Sequence, residues 1–296
     1  MKLQFVSLLG FTLLVSFVGS ASADLSQIID DKKIRVRFEK LLGELTDEGT
    51  TADPAKLQKQ LSRKSTKVEL TEAPALGETP LTDAEIYEKA SKATLVLGHL
   101  YKCDHCDEWH GSTAGGVVIS PDGLVITNHH VMEADNAGAF GAMNRDGKIY
   151  PITEVLASSE KDDMALVQLD TGGAELDWAP LATGDAVGSQ VHVISHPDGR
   201  FFTFSEGVIA RYFVDEESRT PRMQITADYA RGSSGCGVFN QQGELTAIVA
   251  STSSIYYNQD RQQQKNLQMV VKSCVPIQTF QKKLNSGKAK TAAETE

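Results

Sequence analysis

From residue 94 onward the chain is a succession of short apolar, β-branched runs cut apart by glycine turns, and few folds accept that rhythm. The runs cover 94–97, 116–120, 124–127, 164–169, 191–195, 207–210, 223–226, 245–250 and 267–271. Between them stand turn signals such as Pro121-Asp122-Gly123, Arg145-Asp146-Gly147, Pro197-Asp198-Gly199 and Gln242-Gly243. No strand–helix–strand alternation is visible, which argues against a parallel α/β sheet. No fixed-period repeat is visible either, which argues against a solenoid. Antiparallel sandwiches or barrels remain.

The other segments differ in texture. Residues 1–23 carry Lys2, an apolar stretch from Phe5 to Val18 and the small-residue pattern Ala21-Ser22-Ala23, which together read as a cleaved export signal with Asp24 as the new N-terminus. The apolar stretch is short for a membrane span of about 20 residues. The protein is therefore expected to be exported, periplasmic or secreted, and to touch a membrane only through that signal before cleavage. Residues 24–93 form a helical prefix and linker. Helical spacing places Ile28, Ile34, Phe38, Leu41, Leu42 and Leu45 among charges. Pro54 after Asp53 opens a second helix. Thr82-Asp83-Ala84-Glu85 is a capping box that opens a third, running to about Ala93. Between them, residues 66–80 read as a linker. The prefix reads most simply as a solvated decoration, with docking or regulation as the other reading. A terminal helix is expected over 276–284 and a disordered tail over 285–296.

Charge narrows the function classes. Lys plus Arg number 29 against 39 Asp plus Glu, a net charge of −10, so the basic face that nucleic acid requires is not expected. Aromatic residues are 7%, too few to favour stacked bases.

Three segments carry chemistry: Leu124-Val-Ile-Thr-Asn-His-His-Val131, Asp162-Asp163-Met-Ala-Leu-Val-Gln-Leu169 and Gly232-Ser233-Ser234-Gly235-Cys236-Gly237. A hydroxyl is a poor nucleophile until an imidazole takes its proton, and a carboxylate must fix that imidazole's tautomer. The oxyanion that follows needs backbone N–H donors, which a glycine turn can aim at one point. His129 or His130, Asp162 or Asp163, and Ser233 or Ser234 are the candidates.

The order His, Asp, Ser, together with these motifs, resembles the trypsin/chymotrypsin-fold serine peptidases, nearest to the HtrA-like bacterial branch. The matching residues are Gly116-Val-Val-Ile-Ser-Pro-Asp122-Gly123-Leu-Val-Ile-Thr127-Asn128-His129-His130-Val131, Asp163-Met-Ala-Leu166, Arg231-Gly-Ser-Ser234-Gly-Cys236 and Gly243-Glu244-Leu245. The resemblance spans about 94–284. It implies a mainly β fold of two antiparallel six-stranded Greek-key barrels, and a serine endopeptidase acting on polypeptides through an acyl-enzyme. It makes His130 the general base, Asp163 the orienting acid, Ser234 the nucleophile, and the backbone N–H groups of Gly232 and Ser234 the oxyanion hole. It calls for no cofactor. The oligomeric state stays open. The alternative is a non-catalytic trypsin-fold binding protein. Twelve residues follow Leu284, so the C-terminal PDZ domain common in that branch is not expected.

Three features depart from the pattern. Asp228, six residues before Ser234, is a specificity-pocket candidate that would favour basic side chains; a loop acceptor or a partner for Arg231 is the other reading. Cys236 replaces a glycine of the family and is either paired with Cys274 or a buried free thiol. Cys103-Asp-His105-Cys106-Asp-Glu-Trp109-His110 could form a small-loop disulfide, bind zinc or stay reduced. The disulfide is the expectation and no metal is assigned, because no second cysteine pair is visible.

Overall fold

The computed structural model describes residues 28–66, 68, 70–71, 79–259 and 263–285. The expected export signal, part of the linker and the tail beyond 285 lie outside the described residues.

The first barrel contains β1 (Thr94–Lys102), β2 (Trp109–Ser120), β3 (Leu124–Thr127), β4 (Ala139–Met143), β5 (Ile149–Ser159) and β6 (Met164–Leu169). The second contains β7 (Gln190–Ser195), β8 (Thr203–Val214), β9 (Pro221–Ile225), β10 (Gly237–Phe239), β11 (Leu245–Gln259) and β12 (Gln264–Pro276). Every pairing is antiparallel, and the ring orders are β1-β2-β3-β6-β5-β4 and β10-β11-β12-β9-β8-β7. In each ring the third and fourth strands are consecutive in sequence but not neighbours, the Greek-key arrangement expected. Closure removes the sheet edges. β1 pairs with β4 through Val96↔Met143 to Leu100↔Ala139, and β10 pairs with β7 through Gly237↔Ile194 to Phe239↔His192.

Alternation fills the interiors. Leu95, Leu97, Val118, Val125, Phe140, Val155 and Val167 meet in the first core, and Val191, Val193, Ile209, Met223, Val238, Ala247 and Val249 in the second. The connections are tight. At Pro121-Asp122-Gly123, Gly123 takes φ +89° and returns its N–H to Ser120 O at 3.1 Å.

Three prefix helices pack on the barrels: α1 (Asp31–Asp47), α2 (Pro54–Gln60) and α3 (Asp83–Ala93). Asp53 caps α2 by accepting from Ala55 N at 2.9 Å, and the Thr82/Glu85 box of α3 is formed in both directions. The prefix is not a solvated decoration. Phe38, Leu42 and Ile86 are wholly buried, Leu57 is nearly so, and one compact unit beginning at Asp31 holds both helices and barrels. Gly141 makes room for Leu42, since a Cβ there would stand 2.7 Å from its Cδ1.

Polar contacts of α1 reach both barrels. Asp31 Oδ1 accepts from Phe201 N at 2.9 Å, just before β8, while Glu39 Oε1 accepts from Gly111 N of β2 at 3.0 Å. Arg37 Nε donates to Gly147 O in the β4–β5 turn. After β12 the short helix α5 (Ile277–Asn285) buries Ile277 and Phe280. Among the described residues no helix is long and apolar enough to cross a membrane.

Truncating Phe38 to alanine should cost about 3–5 kcal/mol of stability. Chemical denaturation checks this; an unchanged midpoint would show that α1 is dispensable to the fold.

Candidate active site

β3 and β6 pair in register through Thr127↔Ala165, so the end of one lies beside the start of the other. The residue preceding β6 is Asp163, and β3 runs through Asn128 into a single helical turn, α4 (His129–Met132). This brings His130 to Asp163. His130 Nδ1 lies 2.9 Å from Asp163 Oδ1 and 3.0 Å from Oδ2, and the His130 backbone N–H donates to Oδ1 at 3.2 Å. Asp163 sits at φ +56°, a left-handed conformation that aspartate tolerates better than most residues. Asn128 holds it there, with Nδ2 donating to Asp163 O at 2.8 Å.

The neighbouring candidates point elsewhere. His129 is buried, with Nδ1 2.7 Å from Ser158 Oγ. Asp162 Oδ2 accepts from Ser159 Oγ at 2.6 Å.

The serine turn is pinned from both sides. Gly235 N donates to Val249 O of β11 at 2.9 Å, and Ser234 O accepts from Gly115 N of β2 at 2.7 Å. Gly232 takes φ +92°, and a Cβ there would come within 2.8 Å of His196 O. Ser233 is wholly buried and its Oγ has no partner, whereas Ser234 is partly exposed. His130 and Ser234 line one cleft, together with His99 and, unforeseen in the sequence, Arg35 of α1. Among the described residues Ser234 Oγ makes no hydrogen bond, and the N–H groups of Gly232 and Ser234 donate none. Catalytic bonds are often unmade before substrate arrives.

Asp228 does not line this cleft. Its carboxylate is 90% exposed and lies 3.1 Å from Lys272 Nζ, so its charge is already matched. Arg231 pairs instead with Asp198, at 2.9 Å.

All four cysteines are free thiols. Of the two readings of Cys236, the buried free thiol holds and the pair with Cys274 is not made. Val249 N donates to Cys236 O, and Val249 pairs across the sheet with Cys274. The two cysteines thus flank Val249, about two strand spacings or 9–10 Å apart, beyond the roughly 7 Å that a disulfide tolerates. Burial pushes the Cys274 thiol up to about 12 and that of Cys236 up as well. The expected Cys103–Cys106 disulfide is also not formed, since the sulfurs stand 3.3 Å apart. The His105 backbone N–H, aided by the Cys106 thiol, lowers the Cys103 thiol to about 7.

His192 and His196 take structural places. His192 Nε2 meets Asp83 Oδ1 at 3.0 Å. His196 is wholly enclosed. Phe202 N donates to its Nδ1 at 3.1 Å, which puts the ring proton on Nε2, facing Leu95 O of β1 at 3.1 Å. Burial lowers its pKa to about 4.

Residues 114–248 match the model of the trypsin-like peptidase domain. Three relatives each align over just under half of the chain. A protein named as a DegP-like periplasmic serine endoprotease, from Hahella chejuensis, is 28% identical, over 49% of this chain and 30% of its own length. A do-like serine protease of Buchnera aphidicola is 32% identical, over 45% and 28%. A protein named as the serine protease HhoA, from Synechocystis, is 30% identical, over 47% and 38%. The chain thus spans about a third of the length of the relatives it matches.

His196 predicts an acid sensitivity. Its folded pKa lies below the unfolded value, so its contribution is complete above about pH 6.5. Below that, the unfolded chain takes up a proton that the folded one refuses, and stability falls by about 3 kcal/mol in all by pH 4. Melting curves at stepped pH check this. His196→Gln should be less stable than the natural chain at pH 7.5 yet lose less between pH 7 and 5; equal losses would assign the sensitivity to other groups.

Proposed function

We propose that this chain, which carries a trypsin-like peptidase domain, is an exported serine endopeptidase that cleaves polypeptides through His130, Asp163 and Ser234. The observation that carries the reading is the His130–Asp163 pair: with Nδ1 held by the carboxylate at 2.9 Å, the ring's other nitrogen is left for a proton from the cleft that Ser234 shares.

The mechanism follows from those positions. His130 Nε2 accepts the Ser234 hydroxyl proton as Oγ attacks the scissile carbonyl carbon. Asp163 keeps the proton on Nδ1 and stabilises the imidazolium that results. The carbonyl oxygen becomes an oxyanion, and the N–H groups of Gly232 and Ser234 receive it. Both are uncommitted among the described residues, which supports that role. The tetrahedral intermediate collapses as His130 gives its proton to the departing amine, leaving an acyl-enzyme at Ser234. Water, deprotonated by the same histidine, then releases the acid. Polypeptide is the substrate, and no cofactor enters any step. Asp228, matched by Lys272, is given no part in choosing the side chain next to the cleaved bond. Export is supported by the signal pattern at 1–23 and by the periplasmic naming of one relative.

The test compares casein digestion and fluorophosphonate labelling by the natural chain and by Ser234→Ala. Labelling should vanish and turnover fall by about 10⁶-fold in the variant. Asp163→Asn should lose about 10⁴-fold, through the wrong tautomer. Labelling that survives Ser234→Ala would overturn the nucleophile. A natural chain that neither labels nor cleaves would leave the domain as a binding module.

A further inference from the structure

The β1–β2 hairpin tip gathers three metal-binding side chains that peptide cleavage does not use. Cys103 immediately follows β1, Cys106 lies in the loop, and His110 is the second residue of β2. The register Tyr101↔His110 folds the histidine back over the loop, where its ring lies 5.6 Å from that of Tyr101. Cys106 Sγ stands 3.0 Å from His110 Nε2 and 3.3 Å from Cys103 Sγ, and all three donor atoms lie within 4.8 Å of one another.

Those distances are close to the edges of one coordination polyhedron. Tetrahedral zinc has bonds of about 2.3 Å to sulfur and about 2.0 Å to imidazole nitrogen, which separate two sulfurs by about 3.8 Å and a sulfur from a nitrogen by about 3.5 Å. The sulfur–sulfur and sulfur–nitrogen edges would each need to open by about 0.5 Å. A disulfide would instead draw the sulfurs to about 2.05 Å and leave His110 without a part. Two thiols and an imidazole suit zinc, and the acidic neighbours Asp104, Asp107 and Glu108 favour a dication over a monovalent ion.

We infer that Cys103, Cys106 and His110 form a zinc site with three protein ligands and a fourth position open to solvent. The site is outside the cleft but adjoins the seat of α1. Trp109, between Cys106 and His110 in the chain, donates Nε1–H to Asp47 Oδ1 at 3.2 Å, and the next residue after His110, Gly111, donates to Glu39. A bound ion would fix the loop that presents Trp109 to α1. This inference stands whether or not the chain cleaves peptides.

The test uses the full chain, reduced and stripped of metal under anaerobic conditions. Zinc is titrated against a chromophoric chelator, cobalt(II) is followed by its absorption spectrum, and melting is recorded with and without zinc. One equivalent should bind, cobalt should give a thiolate charge-transfer band with the strong visible bands of a tetrahedral site, and zinc should raise the melting temperature. Cys103→Ser and Cys106→Ser should each weaken binding by about 100-fold or more and lose charge-transfer intensity. His110→Ala should weaken binding while keeping the thiolate band, with circular dichroism confirming that each variant folds. No uptake by the reduced chain would overturn the site. So would uptake unchanged in the cysteine variants.

Discussion

The hydrogen bond from Gly115 N–H to Ser234 O, 2.7 Å long, ties the two halves of the candidate site together. Each barrel closes on itself, so backbone pairing alone leaves undefined where a residue of one stands against a residue of the other. Gly115 can approach the serine turn because it has no side chain: a Cβ there would lie 2.1 Å from Cys236 Sγ. Thr127, at the end of the strand that delivers His130, donates Oγ1–H to Gly115 O at 2.8 Å. Gly235 completes the layer, since a Cβ on it would meet that same oxygen at 2.3 Å. One glycine-lined contact therefore sets the histidine turn and the serine turn in a common frame. His196 supports it from below, as a second-barrel side chain held on a first-barrel carbonyl.

The thiol of Cys236 is part of this contact. The family resemblance has glycine at that place, and the extra volume is accommodated by the glycine facing it across the barrels. A small residue at 115 and a larger one at 236 make a complementary pair that local spacing alone does not reveal.

Much of the fold was legible because strands rich in branched residues announce themselves. β4 and β5 were not. The first reads Ala-Phe-Gly-Ala-Met, with little β-branched content, and the second carries Pro151, normally a breaker. Pro151 is tolerated because a proline can still accept, and its carbonyl takes the Asp170 N–H at 2.9 Å. Motif position favours His130 over His129 and Asp163 over Asp162, and the strand register brings the first of each pair together while His129 turns to Ser158. What the sequence hid were partners remote along the chain. The offset of Asp228 from Ser234 says nothing of Lys272, and the spacing of Cys236 and Cys274 cannot show that Val249 lies between them. Arg35 reaches the cleft from a helix whose pattern reads most simply as a solvated decoration.

That helix also bears on how the chain reaches its final form. The bond between Asp31 and Phe201 joins residues 170 positions apart, and other contacts of α1 lie in the opposite barrel. Its anchors on Gly111 and Gly147 need only the first barrel, whereas the Asp31 anchor exists only once the second barrel presents Phe201. In chain order α1 precedes every strand it rests on, and its first turn finds its partner only in the second barrel. Seating α1 against both barrels is a long-range closure of the kind that slows folding.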